Sequence, residues 1–289
     1  HRLDGVHRVG ASPEILARPV GRVARVALAL GATLFAPALA SAQDTDSDGT
    51  SEDSDPPERR KRRGLVDDEA IIKWSAHTLE REGWVVGLNL VAHGLTDDLT
   101  LGVRASDVVL GHYNARVRAR LGHNVDRVVS LDAGAGLVTP LGIAFLAVPS
   151  TEPPSPLAMV DVGLPITWTL ATGRFVTVRP WLALSAGRVD HDERTLPLIL
   201  GRAALTGPGV QVIAEGHLAP RIGVVGSVDV GLELFGGDPA FASTTRIAML
   251  LATGPVRANL GFGLVLGMDR TGSVTPPTFV PAIDIWVRF

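Results

Sequence analysis

Residues 258–269 read ANLGFGLVLGMD. Leu260, Phe262, Leu264, Leu266 and Met268 share one parity, and Asn259, Gly261, Gly263, Gly267 and Asp269 share the other. A period of two is the mark of a strand, because successive side chains point to opposite faces. This strand has one face that is apolar throughout and one that is small or polar except at Val265.

The pattern recurs along the chain. VVGSVDVGLELF (224–235) sets Val224, Gly226, Val228, Val230, Leu232 and Leu234 against Ser227, Asp229, Gly231 and Glu233. NARVRARL (114–121), SLDAGAGL (130–137) and MVDVGLPITWTL (159–170) alternate in the same way. From about Glu69 onward no segment carries the three-and-four spacing of an amphipathic helix. Strands are expected near 69–79, 84–95, 98–104, 111–121, 128–139, 158–171, 175–187, 208–219, 224–236, 244–254, 258–270 and 278–289.

Two architectures produce such alternation. In a soluble sandwich the apolar face packs a core. In a membrane barrel it meets lipid, and the polar face meets the lumen. Loop lengths separate the two. LTDD, GHNVD, TGR, PRIG and GPVR are tight, whereas the connections around 104–110, 140–157, 188–207, 236–243 and 271–277 are longer. That short and long rhythm belongs to barrels. The expected fold is therefore all-β, a transmembrane antiparallel up-and-down β-barrel over residues 67–289. About twelve strands are expected. Ten is the alternative, because 98–104 is short and 69–79 is poorly patterned.

Ahead of the barrel, two segments read differently. Residues 1–42 hold a secretory signal peptide and residues upstream of it. Arg18, Arg22 and Arg25 precede the apolar run Val26 to Phe35, and Ala40-Ser41-Ala42 fits a cleavage site. Residues 43–66 form a charged tether, with an acidic block followed by the basic run Arg59–Arg63. It has no apolar face to pack, so disorder is expected. Asp44, Asp46 and Asp48 match the opening of a calcium loop. No helical pattern flanks them and Pro56-Pro57 follows, so a solvated acidic tether is the stronger reading.

Composition narrows the chemistry. The chain of 289 residues carries a formal net charge of -3, which argues against a nucleic-acid partner. Mean hydropathy is +0.24 with 20% charged residues. Cysteine is absent, which excludes disulfides, thiolate metal sites and cysteine nucleophiles. No cofactor is expected.

If the apolar face is outward, the inward charges are the informative set. The lumen-lining candidates are Arg116, Arg118, Arg120, Asp132, Asp161, Arg179, Glu215, Asp229, Glu233 and Asp284. Arg116, Arg118 and Arg120 are two apart and form a ladder that would select anions in a pore. Cross-strand pairing with Asp132 and Asp161 is the competing reading. Enzymatic signals are thin. The histidines are scattered, no Gly-x-Ser-x-Gly occurs, and Asp190, His191, Asp192 and Glu193 read as a solvated loop. The expected function is passage of small solutes through the lumen. The alternatives are a non-conducting structural or adhesive barrel and an outer-membrane hydrolase.

Two stretches carry a resemblance. PAIDIWVRF (281–289) places Ile283, Ile285, Val287 and Phe289 at alternate positions and finishes on an aromatic residue. It resembles the C-terminal assembly signal of Gram-negative outer-membrane barrels. EREGWVVGLNLVAHGLTDDLTLGV (80–103) resembles the first hairpin of poorly characterised outer-membrane barrels, including those near the phenol-degradation-pathway barrels. Their motif runs Tyr-Gly-Leu-Thr-Asp-x-Leu-x-Leu-Gly. Here His93, Gly94, Leu95, Thr96, Asp97, Leu99, Leu101 and Gly102 occupy it, with His93 replacing the aromatic. The resemblance implies the bacterial outer membrane, its lipid and the barrel-assembly machinery as partners.

Overall fold

A computed structural model of the chain describes residues 75–109, 111–139, 156–186, 206–232, 241–268, 274 and 276–289. The strands are β1 (Trp84–Gly87), β2 (Val91–Thr96), β3 (Leu99–Val103), β4 (His112–His123), β5 (Arg127–Val138), β6 (Leu157–Gly163), β7 (Ile166–Ala171), β8 (Arg174–Ala186), β9 (Gly207–Ala219), β10 (Ile222–Leu232), β11 (Phe241–Thr253), β12 (Val256–Met268) and β13 (Thr278–Arg288). One short helix, α1 (Ala105–Val109), lies between β3 and β4.

Every pairing is antiparallel, and β1 pairs both β2 and β13, so the sheet closes on itself. β6 and β7 occupy one place in the wall, since both pair β5 and β8. The barrel therefore has twelve positions and no free edge all the way round its base. The break at Leu164 and Pro165 has a partner on β8. Pro180 lacks an N–H, and its carbonyl accepts from Leu164 at 2.9 Å, so the missing donor faces the interruption.

The count of twelve agrees with expectation through two compensating differences. The strand expected at 69–79 does not exist over its described part: Ser75–Leu79 is irregular and runs inside the barrel. The strand expected at 84–95 is a hairpin, β1 and β2, whose turn is closed by Gly87 N–H donating to Leu90 O at 2.8 Å. Alternation continues through Gly87-Leu88-Asn89-Leu90, so periodicity alone hides the reversal.

The five turns read as tight from the sequence all lie at one end: 97–98, 124–126, 172–173, 220–221 and 254–255. Gly173 and Gly254 take φ of 70° and 54° there, the left-handed backbone that glycine adopts without strain. Residues 88–90, 104–111, 139–156, 187–206, 233–240 and 269–277 link strands at the other end.

Burial is inverted relative to a soluble fold. Val160, Leu184 and Ile285 are 50%, 50% and 52% exposed on the outer face, while Asp132, Glu215 and Asp284 are 1%, 6% and 2% exposed inside. An apolar outer wall around a polar interior suits lipid outside. No described helix is long and apolar enough to cross a membrane. Trp84 and Tyr113 face outward near opposite rims, and Trp84 stacks on His93 at 4.2 Å. Phe175 and Trp286 are buried inside.

Candidate functional site: the lumen

Five inward residues on four neighbouring strands form one charged belt. β4 supplies Arg116 and Arg118, β5 Asp132, β6 Asp161 and β8 Arg179. Arg116 Nε lies 3.1 Å from Asp132 Oδ1, and Arg116 Nη2 also bonds Asp161 Oδ2. Arg118 Nη2 reaches Asp132 Oδ2 at 3.1 Å. Arg179 Nη2 lies 3.0 Å from Asp132 and 3.2 Å from Asp161. Three guanidiniums thus share two carboxylates. Each strand contributes at alternate positions, so the period-two pattern alone puts the charges on one wall.

Glycines make the belt fit. A Cβ on Gly134 would stand 2.5 Å from Asp161 Oδ1, and one on Gly163 would stand 2.5 Å from Arg179 Nε. These inward glycines leave room for long side chains to lie flat against the wall.

The remaining candidates lie apart from the belt. Arg120 Nε bonds Asp98 Oδ1 at 2.6 Å at the tight-turn rim. Glu215 meets His217 Nε2 at 2.8 Å, with the His217 ring edge-on to Phe175. Asp229 accepts from Trp181 Nε1 at 3.0 Å. Asp284 accepts from Asn89 N at 3.2 Å. Ile283, Ile285, Val287 and Phe289 lie on the outward parity of β13, and the Phe289 backbone pairs with Trp84. Glu233, Asp44, Asp46, Asp48 and the signal-peptide residues lie outside the described residues. Among the described residues no group of three His, Asp or Glu is placed to hold a metal ion.

Sequence reasoning missed what fills the tight-turn end. Ala76 N–H donates to Thr167 Oγ1 at 2.7 Å, and Ser130 Oγ donates to Ala76 O. Leu79 N–H donates to Thr100 Oγ1 at 2.8 Å, and Thr78 Oγ1 donates to Asp97 O at 2.6 Å. Leu79 is fully buried and packs with Val85, Ala92, Leu250 and Trp286 from β1, β2, β11 and β13. The segment therefore spans the lumen from the β5–β8 wall to the β11–β13 wall. Arg118 joins belt and plug, because its Nη1 also donates to His77 O at 3.3 Å.

Between the plug and the long-loop end lies a cavity of about 430 Å3. The belt forms one side, and Asp229, Arg246 and Asn259 lie on the other.

Near the long-loop end Asp107 of α1 sits 3.2 Å from Arg104 and 3.1 Å from His112. Burial alone would push its carboxyl up. The hydrogen bond and charge of His112, with Arg104 and Ser106, hold it below the usual carboxylate range.

No known protein family matches the chain, and no curated protein does. Among solved structures the chain is similar to the outer-membrane expressed OmpT of Vibrio cholerae, at 9% identity and a TM-score of 0.39. That match covers 69% of this chain and 63% of that one. It is also similar to CdiB from Escherichia coli, at 11% identity and a TM-score of 0.27, covering 72% of this chain and 49% of that one. The chain spans 63% and 49% of the length of these two proteins. Likeness at this level concerns shape only, and the barrel stands on the strand pairing of the chain itself.

Proposed function

We propose that the chain is an outer-membrane barrel that passes small solutes through its lumen, with Ser75–Leu79 as the stop. The observation that carries this reading is the position of the cavity. Two of its lining residues, Thr100 and Arg118, also hold the Ser75–Leu79 segment, by side-chain hydrogen bonds rather than by strand pairing. Its volume falls within the roughly 300–1,000 Å3 of small-molecule sites. A stop held this way can leave without unzipping the wall. By the usual polarity of such barrels the tight turns face the periplasm, together with the tether at 43–66. The motif at 93–102 supports grouping the chain with porin-like barrels, and the alternation of Ile283, Ile285, Val287 and Phe289 supports assembly-machinery recognition.

A hydrolytic reading finds less support. His77 Nδ1 does lie 3.1 Å from Ser75 Oγ. That hydroxyl is buried inside the plug, where no scissile bond reaches it.

Planar-bilayer recording tests the proposal. The full chain should give small or rare conductance steps, and Leu79→Asp, which places a charge in the apolar seal, should give frequent ones. Absence of steps from both, with folding verified by heat-modifiable gel mobility, would leave the non-conducting barrel acting through its long loops.

A further inference from the structure

The wall is not of even height. β8, β9, β11 and β12 run 13 residues each, and β10 and β13 run 11. β1, β2 and β3, side by side between β13 and β4, run only 4, 6 and 5. A strand crosses the apolar band of a membrane in about 9–11 residues. Three adjacent strands therefore stop short of the crossing, and the wall is notched on that side.

The edge of β13 above the notch is exposed. β1 pairs β13 only at Trp286, Val287 and Arg288, and Leu88 N–H reaches Ile285 O at 3.0 Å. Beyond that, Asn89 Nδ2 caps Ile283 O at 3.2 Å. Among the described residues no strand pairs with Phe279–Ile283 on this side. Carbonyls 285 and 283 point into the notch, so residue 281 presents its backbone there too, and it is Pro281. Proline has no N–H, which spares this edge an unmet donor and deprives an incoming strand of one ladder bond. The edge is built to stay open rather than to recruit another chain.

The notch leads into the lumen. The cavity bordered by Arg116 and Asp132 extends to Asn89 and Leu90 at the tip of the short hairpin, and to Pro281 and Ala282 on β13. The rim outside is apolar: Leu88, Val109, Phe279 and Ile283 are all at least half exposed. Around the cavity five arginines, Arg104, Arg116, Arg118, Arg179 and Arg246, face four aspartates, Asp132, Asp161, Asp229 and Asp284.

We propose that this notch is a lateral portal through which an amphiphile with one anionic head group enters the lumen from the bilayer. The apolar chain would slide between Phe279 and α1. The head group would stop at the belt, where Arg116 is the most accessible of the three arginines, its side chain 26% exposed against 13% for Arg118 and 9% for Arg179. Charge-assisted hydrogen bonds from a fixed guanidinium favour a carboxylate or phosphate over a cation. This entry goes beyond passage along the axis and does not require the plug to move.

The chain lacks cysteine, so single labels are clean. The full chain is folded into phosphatidylcholine vesicles with a fluorophore on Ser227→Cys in the lumen, or on Val160→Cys outside. Bromine-labelled probes are then added: ω-bromododecanoate, and its trimethylammonium analogue. The anionic probe should quench both labels. The cationic probe should quench the outer label alone, a selectivity of about tenfold at the lumen site. Ala282→Trp, which narrows the portal, should cut lumen quenching and leave outer quenching unchanged. Quenching of the outer label alone by both probes would overturn the portal. Equal lumen quenching by both would overturn the anion preference. Neither outcome depends on conductance, so the axial pathway is tested separately. If Ala282→Trp does not fold, Leu90→Trp narrows the portal from the hairpin side, and lumen quenching unchanged in the narrowed barrel would overturn lateral entry.

Discussion

The amide of Ala76 donates to the hydroxyl of Thr167 at 2.7 Å across 91 residues of chain. Thr167 Oγ1 in turn lies 2.8 Å from Thr177 Oγ1, so the plug hangs on a two-threonine relay of the wall. Thr167→Val removes the acceptor and leaves a buried amide unmet, at about 1–3 kcal/mol. Most of that loss falls on the plug rather than on the barrel, whose ladder is untouched. Limited proteolysis near residue 76 should therefore accelerate in Thr167→Val while the strands stay protected. Equal protection of both variants would show that the plug is held elsewhere.

Asp132 accepts from three arginines and is almost fully buried. Asp132→Asn removes the carboxylate that all three share, a broken buried ion pair of the kind that costs about 3–5 kcal/mol. Arg120→Gln breaks a rim pair whose aspartate is two-thirds exposed, and should cost no more than about 1 kcal/mol. Urea unfolding in lipid vesicles measures both. Similar midpoints for the two variants would contradict the belt as drawn.

Two glycines on the wall should respond oppositely to alanine. At Gly163 a Cβ meets Arg179 Nε at 2.5 Å, so Gly163→Ala must displace a packed guanidinium, at about 1–3 kcal/mol. At Gly216 a Cβ meets nothing within 4 Å, and Gly216→Ala should be neutral or slightly stabilising. Thermal melts in detergent compare the two directly.

Asp107 links pH to the α1 segment. Its carboxyl titrates below the ordinary range, so the folded form binds its proton more weakly than the unfolded chain. The stability it contributes is complete above the unfolded value of about 3.9 and is lost as pH falls through the folded value. Asp107→Asn should thus be less stable than the parent at pH near 7, with the gap closing below about pH 4. A gap that widens on acidification would refute the assignment.

Much of the barrel was legible because its cause is local. Alternation from 224 to 234 fixes which side chains share a face, and turns such as Thr172-Gly173 fix the reversals. That information sits within a few residues. The belt was half legible. Arg116, Arg118, Asp132 and Asp161 could be named from parity, but the convergence of Arg179 on both aspartates depends on β6 and β8 lying side by side. The hairpin at Leu88–Leu90 was hidden because its turn keeps the period of two.

Period and turn chemistry are short-range properties, and they suffice to specify an inside-out sheet with tight reversals. What the polar face meets is set by long-range contacts. Whether Thr100, Ser130 and Thr167 face water or a folded-in segment depends on contacts across the lumen between residues far apart in sequence, and alternation carries no record of those. The same holds for the notch: the three strands that fall short are seen to do so only beside neighbours two or three times their length.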